Sequence, residues 1–421
     1  MWVMKVGGGC LRDADSVRQL VNVLRHAHPD SPRLLVVSAM GKTTNALFQL
    51  AEAAGRGDLD HSRTVYEEIQ RFHQAVIEGL FPPAGAQALW SYLVERYWTP
   101  LWQRAQALIH LSEEVGPATD AVLVYGELVS SEIVRAFLEK EGFPAQWIDA
   151  RRLLVTDGSY PEPSVLMALS QAGVDAQLVP LFRTHKLVIT QGYIASDLRR
   201  RSVTLGREGS DYSAALFAAM LRAQGLIAWK DVGRLYSADP RKHADAVPLA
   251  QLGYAQAAEM TYYGAQVLHP RSLKPLRDAK IPLYVRPYFD PEAEGTLITD
   301  RKAENLPPIW TQRRDLVLIE VESQDLQPLA LEELLEGLTS EGVEVFFVQG
   351  GLFRAAFAVK GPYEAIERWQ AGLPPACIAQ LRQPVHLYTL LYPDSTASPP
   401  NGEALYFQRL PDRLHWIAYE G

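Results

Sequence analysis

Along the first 300 residues, short apolar runs alternate with longer stretches of helical periodicity. Apolar residues dominate consecutive positions in Trp2–Val6, Arg33–Ser38, Ala121–Val124, Ala145–Ile148, Lys186–Gln191, Leu226–Lys230 and Ile281–Val285. Consecutive rather than alternate apolar positions are expected of parallel strands covered by helices on both faces. Between these runs, Asp15–His26, Thr44–Ala54, Gly126–Glu141, Gly209–Gln224 and Ala255–Gln266 predict helices. Strand–loop–helix repetition of this kind predicts an α/β fold, a doubly wound and mainly parallel sheet with ligands at the carboxyl ends of its strands. Residues 58–115 interrupt the alternation. Their aromatic residues, from Tyr66 to Trp102, recur at helix-like spacing around Pro82-Pro83, which predicts a helical insertion with an aromatic core rather than a ligand cage.

Near residue 300 the pattern changes. Residues 301–312, with Asn305-Leu306-Pro307-Pro308, predict a linker. Beyond it come a strand (Asp315–Glu322), a helix (Leu329–Glu341), two strands (Val343–Val348 and Leu352–Val359), a helix (Tyr363–Ala371) and a strand (Val385–Leu391). That β-α-β-β-α-β order is ferredoxin-like. Strands are also expected at Leu405–Arg409 and Leu414–Tyr419, after a turn over Pro393–Asn401. The expected organisation is a domain over 1–300 and an α+β region over 313–421, one full unit plus a partial second.

Length and composition narrow the class. A chain of 421 residues exceeds one hydrophobic core, and 48% hydrophobic with 21% charged residues is ordinary for a soluble globular protein. A net charge of −8 argues against a nucleic-acid partner, though a basic pocket for an anion is compatible with it. Cys10 and Cys377 supply neither a disulfide framework nor metal-ligand spacing. The N-terminus enters a strand-like run at once, and no apolar run approaches the roughly 18 residues of a membrane span, so a cytoplasmic location without membrane association is expected.

Five clusters at predicted strand ends carry candidate chemistry. Lys5-Val6-Gly7-Gly8-Gly9 offers a cation and glycine N–H groups to a phosphate, or forms only a tight strand–helix turn; it is not a Walker A loop. Ser38-Ala39-Met40-Gly41-Lys42-Thr43-Thr44 suits a small polar substrate, and equally a capped helix start. Glu127, read as standing at the mouth of a strand, suits an amino group, or simply an acid near a helix N-terminus. In Thr190–Ile194 and Thr204–Asp211, Gly206 and Gly209 bracket Arg207 before Ser210-Asp211. An arginine fork matches a carboxylate and Asp211 matches an ammonium; a bare glycine turn with an Asp cap leaves the arginine unexplained, whereas a surface Arg207–Glu208 pairing accounts for it. Trp229–Arg241 suits a nucleotide, with Tyr236 near the base or sugar and Lys230 and Arg241 near phosphates; a surface Lys230–Asp231 pairing is the plainer alternative.

Taken in order, these clusters resemble the aspartate kinases of the amino-acid kinase superfamily. Lys5–Cys10 is similar to the family's Lys-Phe-Gly-Gly-Thr-Ser opening, and Thr204–Asp211 to its Thr-Leu-Gly-Arg-Gly-Gly-Ser-Asp loop. Asp231–Arg241, Ala258–Pro270 and Gly295–Ile298 match further family segments. The resemblance covers about residues 1–300. It implies ATP-dependent phosphorylation of the aspartate β-carboxylate, the first step towards lysine, threonine and methionine. It implies Lys5, Arg207 and Asp211 as catalytic residues, and Ser38, Thr44, Glu127, Arg207 and Ser210 around aspartate. Lys5, Gly7, Gly8, Lys230, Asp231, Tyr236, Arg241 and Gln266 would then contact ATP. Mg²⁺ would be held mainly by ATP phosphates and water, without a protein ligand set. The C-terminal region resembles a regulatory ACT region, which implies a homodimer or higher homo-oligomer and an amino-acid effector, with lysine and threonine both open. Departures from the family pattern are Gly9-Cys10 for Thr-Ser, Glu208 and Arg234 for glycines, Gln266 for a lysine, and a short C-terminal region. Another amino-acid kinase, or a silent relative that binds ATP or an amino acid, are the competing readings.

Overall fold

The computed structural model describes residues 1–110, 115–160, 162–265, 268, 270–392 and 404–418. They divide into two compact units that are discontinuous in sequence: Met1–Leu235 with Ala250–Tyr254 and Leu268–Lys302, and Tyr236–Leu249 with Ala255–Val267 and Ala303–Gly421.

The chain opens with β1 (Trp2–Val6), α1 (Ala14–His26), β2 (Arg33–Val37) and α2 (Thr43–Gly55). A helical segment follows as α3 (Leu59–Leu80), α4 (Pro83–Leu93), α5 (Thr99–Ala107), α6 (Val115–Leu123) and α7 (Tyr125–Lys140). Next come β3 (Ala145–Trp147), β4 (Val155–Thr156), α8 (Met167–Gly173), β5 (Leu187–Gln191), β6 (Ile194–Asp197), β7 (Ser202–Thr204), α9 (Gly209–Met220) and β8 (Leu226–Lys230). Further along the chain come β9 (Gln251–Gly253), α10 (Tyr254–Tyr262, mostly in the second unit), α11 (Pro270–Ala279), β10 (Leu283–Pro287) and β11 (Thr296–Thr299).

Among the described residues the main sheet runs β3-β5-β2-β1-β8-β10-β11-β9 and is parallel except where β10 meets β11. Strand β1 lies between β2 and β8, with Lys5 opposite Val36 on one side and Ala228 on the other. The loops that leave β1, β2 and β8 therefore meet at one edge. All five residues of β2 are buried, which explains its unbroken apolar run. Helix α1 starts at a capping box: Asp13 accepts the Ser16 N–H at 2.7 Å and Ser16 Oγ accepts the Asp13 N–H at 2.9 Å. Helix α9 buries Ala214, Ala215 and Ala218, small side chains that let it approach the sheet closely.

One strand expectation in this unit changes. Ala121–Val124 is not a strand. Residues 121–123 finish α6, and Val124 N–H donates to Asp120 O at 3.2 Å. The run is apolar because this helix end is buried on all sides, and a short buried helix reads like a buried strand. Glu127 consequently stands in the first turn of α7, not at a strand mouth. The small sheet β4-β6-β7 had no apolar run to announce it, since Ile194–Asp197 and Ser202–Thr204 carry hydroxyl and acidic residues.

The second unit holds β12 (Ile309–Ser323), α12 (Leu331–Ser340), β13 (Glu344–Gly350), β14 (Arg354–Lys360), α13 (Tyr363–Ala371), β15 (Cys377–Leu391), β16 (Tyr406–Leu410) and β17 (Arg413–Ala418). Its sheet runs β13-β14-β12-β15-β17-β16 and is antiparallel throughout. Leu334, Leu338, Ile366 and Trp369 of the two helices pack on Ile319 and Phe357. The β-α-β-β-α-β order closes with residues 377–382, which pair with 318–323, and not with Val385–Leu391. The 385–391 half pairs instead with 309–316 and with β17. Residues 377–382 alternate half-buried and exposed, and their apolar run stops after Cys377-Ile378-Ala379. Ile309–Gln312, inside the stretch read as a linker, already lies in β12. The segment before β9 joins this unit, where Trp310 N–H donates to Ser237 O at 2.7 Å. The expected turn over Pro393–Asn401 lies outside the described residues. No helix among the described residues is long and apolar enough to cross a membrane.

Candidate active site

The site is built where the loops after β1, β2 and β8 converge. Gly8 makes that convergence sterically allowed: a Cβ there would stand 2.7 Å from the Ala39 carbonyl oxygen and 2.9 Å from that of Gly41. Gly41 N–H donates to Gly8 O at 3.1 Å and ties the two loops together. Lys5 leaves the end of β1, and its ammonium folds back over Gly7. Only 5% of Lys5 is exposed.

Asp211, in the first turn of α9, sits between two lysines. Its Oδ1 is 2.9 Å from Lys5 Nζ, and its Oδ2 accepts from Lys230 Nζ at 2.7 Å. Burial pushes the Asp211 carboxyl up, but Lys230 and Lys5 outweigh it and hold the group well below the ordinary range. Burial also lowers the Lys5 ammonium, and Asp211 only partly opposes this. At Lys230 Asp211 prevails over burial, and the pKa is raised. The result is a desolvated +/−/+ row with a net positive charge beside a glycine loop, which is a receptor for an anion.

Glu127 stands across from this row. Its Oε1 accepts the Ala39 N–H at 3.1 Å, while Oε2 is buried and meets no donor among the described residues. Burial pushes this carboxyl up to about 8, against the pull of the Ala39 N–H and Lys5. One turn on, Ser130 Oγ donates to Ser38 O at 2.6 Å, so α7 clamps the end of β2. An orphaned buried carboxylate oxygen there is an acceptor waiting for a cation.

The structure brings Lys5, Gly7, Gly8, Lys230 and Asp211 together, with Ser38 and Glu127 at the adjoining β2 end. Thr44 is half-buried in the first turn of α2. Ser210 packs against Gly192, where a Cβ would meet Ser210 Oγ at 2.9 Å. Asp231 is exposed and lies against Gly9. Arg207 is exposed at the tip of the loop before α9, ion-paired with no described residue. Tyr236 and Arg241 belong to the segment that joins the second unit. There Arg241 is exposed and bonds Asp239 through Nε and Nη2, both at 3.0 Å. Gln266 lies outside the described residues.

The departures at the loop also find places. Cys10 turns its thiol to the Trp229 carbonyl at 3.5 Å, and burial pushes it up to about 12, so it stays a neutral packing group. Glu208 takes a left-handed backbone, φ 53°, at the entry to α9. The Ala39 N–H was not among the expected site groups, whereas Gly192 lay in the Thr190–Ile194 cluster. A backbone donor leaves no trace in a sequence, but the glycine after β5 was a visible signal.

A glycine loop with a lysine on a central parallel strand and a carboxylate at a helix N-terminus makes a buried receptor for an anion. Residues 1–287 match the model of the amino acid kinase family, and the chain belongs to that family. Within it, the relatives that the chain resembles include aspartokinases, alone or joined to a homoserine dehydrogenase. Lysine-sensitive aspartokinase 3 of Escherichia coli is 34% identical over 330 residues, 77% of this chain and 70% of that one. The chloroplastic bifunctional aspartokinase/homoserine dehydrogenase 1 of Zea mays is 32% identical over 311 residues. That match takes in 72% of this chain, which spans about a third (33%) of the longer protein. Two crystal structures of E. coli aspartokinase III, one with lysine and aspartate and one with aspartate and ADP, superpose with TM-scores of 0.80 and 0.83. Each is 26% identical, with 100% of this chain and 96% of the other covered.

Proposed function

We propose that this chain transfers the γ-phosphoryl group of ATP to the β-carboxylate of aspartate, with the Lys5–Asp211–Lys230 row as the centre of the site. The observation that carries the reading is the buried pair of ammonium groups on one carboxylate beside Gly7 and Gly8. The β-carboxylate is already ionised and attacks the γ-phosphorus in line. The bond from phosphorus to the β,γ-bridging oxygen breaks, and the products are an acyl phosphate and ADP. No covalent enzyme intermediate is needed, so catalysis is positioning and charge neutralisation. Lys5 meets the transferring group, the N–H groups of Gly7 and Gly8 assist, and Lys230 and Asp231 face the nucleotide phosphates. Tyr236, Arg241 and Gln266 are assigned to the nucleotide by resemblance alone. Magnesium, when bound with ATP, offsets charge on the β- and γ-oxygens. At the other end, Glu127 takes the substrate ammonium, Arg207 its α-carboxylate, and Ser38, Thr44 and Ser210 line the pocket.

The C-terminal unit is read as a regulatory ACT region, complete over 316–382, with no helix among the described residues after 382. An amino-acid effector and a homodimer go with that reading. Trapping the acyl phosphate with hydroxylamine tests the whole: hydroxamate that requires both ATP and aspartate supports it. Signal with another acid only, or nucleotide binding without turnover, rejects it.

Two further outcomes follow from the site. Arg207→Ala raises the aspartate KM about 10- to 100-fold, the worth of a charged hydrogen-bond pair, and leaves the ATP KM unchanged. Unchanged aspartate saturation removes Arg207 from the site. The second concerns pH. With a carboxyl pushed up to about 8, Glu127 is protonated in the free enzyme at neutral pH and must release its proton to pair with an ammonium. The aspartate KM therefore falls about tenfold per pH unit between roughly pH 6 and 8 and levels off above. Glu127→Gln abolishes that slope. The sign for stability is opposite to that of an ion-paired acid. The unfolded state ionises near pH 4, so the buried acid costs stability increasingly as pH rises towards 8.

A further inference from the structure

Asp120 belongs to none of the clusters that define the site, yet it holds the segment that carries three of its residues. The carboxylate is 3% exposed, and both oxygens go to one partner. Oδ2 accepts the Thr204 N–H and Oδ1 accepts the Thr204 hydroxyl, each at 2.8 Å. Thr204 is the last residue of β7 and the first of the arch that rises to Arg207 and descends through Glu208 into Ser210 and Asp211. Two bonds to adjacent donors of one residue fix its rotation as well as its position, and a charged acceptor makes them strong.

The arch is pinned from its other side by Tyr193. The Tyr193 carbonyl accepts the Leu205 N–H at 2.7 Å. The Tyr193 ring lies where a Cβ on Gly209 would come within 2.8 Å of it. Tyr193 has φ 66°, and its N–H donates to Ser213 Oγ at 2.9 Å. An aromatic residue keeps a left-handed backbone only where its surroundings impose it, and such strain gathers at working sites.

No described cation pairs with Asp120, so its charge is maintained by Thr204 alone. A buried carboxylate without a counter-ion is costly, and an amide would fill the same space. Asparagine, however, presents one acceptor and one donor, and its NH₂ would face a donor of Thr204. The arrangement thus demands a group that accepts twice. Asp120 and Glu127 are also seven residues apart on successive helices α6 and α7, so one helical run places both the arch anchor and the orphaned acid.

We propose that Asp120 is a positioning residue for amino-acid recognition, fixing through Thr204 the arch that presents Arg207, Ser210 and Asp211. The inference rests on the reading of the site as an aspartate site. Its test pairs kinetics with ligand-free hydrogen exchange on the full chain, for wild type, D120N, T204V and T204S. D120N and T204V are expected to raise the aspartate KM about tenfold, with kcat and the ATP KM within about threefold. T204S, which keeps the hydroxyl, stays near wild type. Amide exchange over residues 204–209 quickens in D120N and T204V and not in T204S. If wild type saturates with aspartate and D120N and T204V leave that KM unchanged, or raise both KM values equally, the inference is overturned while the activity stands. If wild type shows no aspartate-dependent turnover, the activity reading falls. Exchange then judges the arch on its own: faster in D120N supports the anchor, unchanged overturns it.

Discussion

Lys5→Ala lowers kcat about a hundred- to thousandfold and leaves both KM values within a few fold. The expectation rests on where the charge is held. The ammonium is buried, folded over Gly7, and fixed at 2.9 Å from Asp211 Oδ1. A cation fixed in a water-poor site needs no reorganisation when negative charge spreads over the transferring phosphoryl oxygens. It therefore stabilises the transition state more than the bound substrates. The fold should tolerate the change, because Asp211 keeps its 2.7 Å bond to Lys230. Lys5→Arg should not restore the rate, since a planar guanidinium cannot occupy the space of a compact ammonium against Gly7 and Asp211. Steady-state kinetics by hydroxamate trapping, with circular dichroism to confirm folding, decides the matter. An effect confined to KM assigns Lys5 to uniform binding and removes it from the chemical step.

How far this site was readable depended on whether its signals were local. Lys5 followed by three glycines, at the end of an unbroken apolar run, shows in five residues that a central strand delivers a cation to a tight loop. Arg207 between two glycines, just before Ser210-Asp211, is equally local. The Lys5–Asp211–Lys230 row is not, since it joins three segments through the order of strands in the sheet. The strand reading of Ala121–Val124 failed because a helix buried on all sides has no polar face to give it a period. Residues 377–382 failed for the opposite reason, being half-exposed, with Gln380 and Arg382 breaking the apolar run. Asp120 was invisible because one of its two bonds goes to a backbone N–H 84 residues away. Segments 236–249 and 255–267, which join the second unit, carry no compositional break to mark that they leave the first.

Asp211→Ala costs about 3–5 kcal/mol of stability at neutral pH, the penalty for stranding buried charge. It removes the one carboxylate between Lys5 and Lys230, whose side chains are 7% and 19% exposed. Two desolvated ammonium groups are then left facing each other. Asp211→Asn costs less, because the amide oxygen still accepts one hydrogen bond. The pH dependence identifies the cause. Asp211 is held well below the ordinary carboxylate range, so its contribution is fully present above about pH 4 and fades as pH falls towards the folded value. Lys230 is raised, so its share is present below about pH 10 and is lost as pH rises through the folded value. The gap between wild type and Asp211→Ala should be widest between those limits and narrow beyond each. Urea unfolding across pH reads it directly. A second change separates charge from packing: Lys230→Met in the Asp211→Ala background should recover part of the loss, because an apolar side chain of similar length removes a stranded charge. If Asp211→Ala unfolds within about 1 kcal/mol of wild type at neutral pH, the lysines have found solvent or another anion. The buried row would then not be what poises Lys5 for phosphoryl transfer.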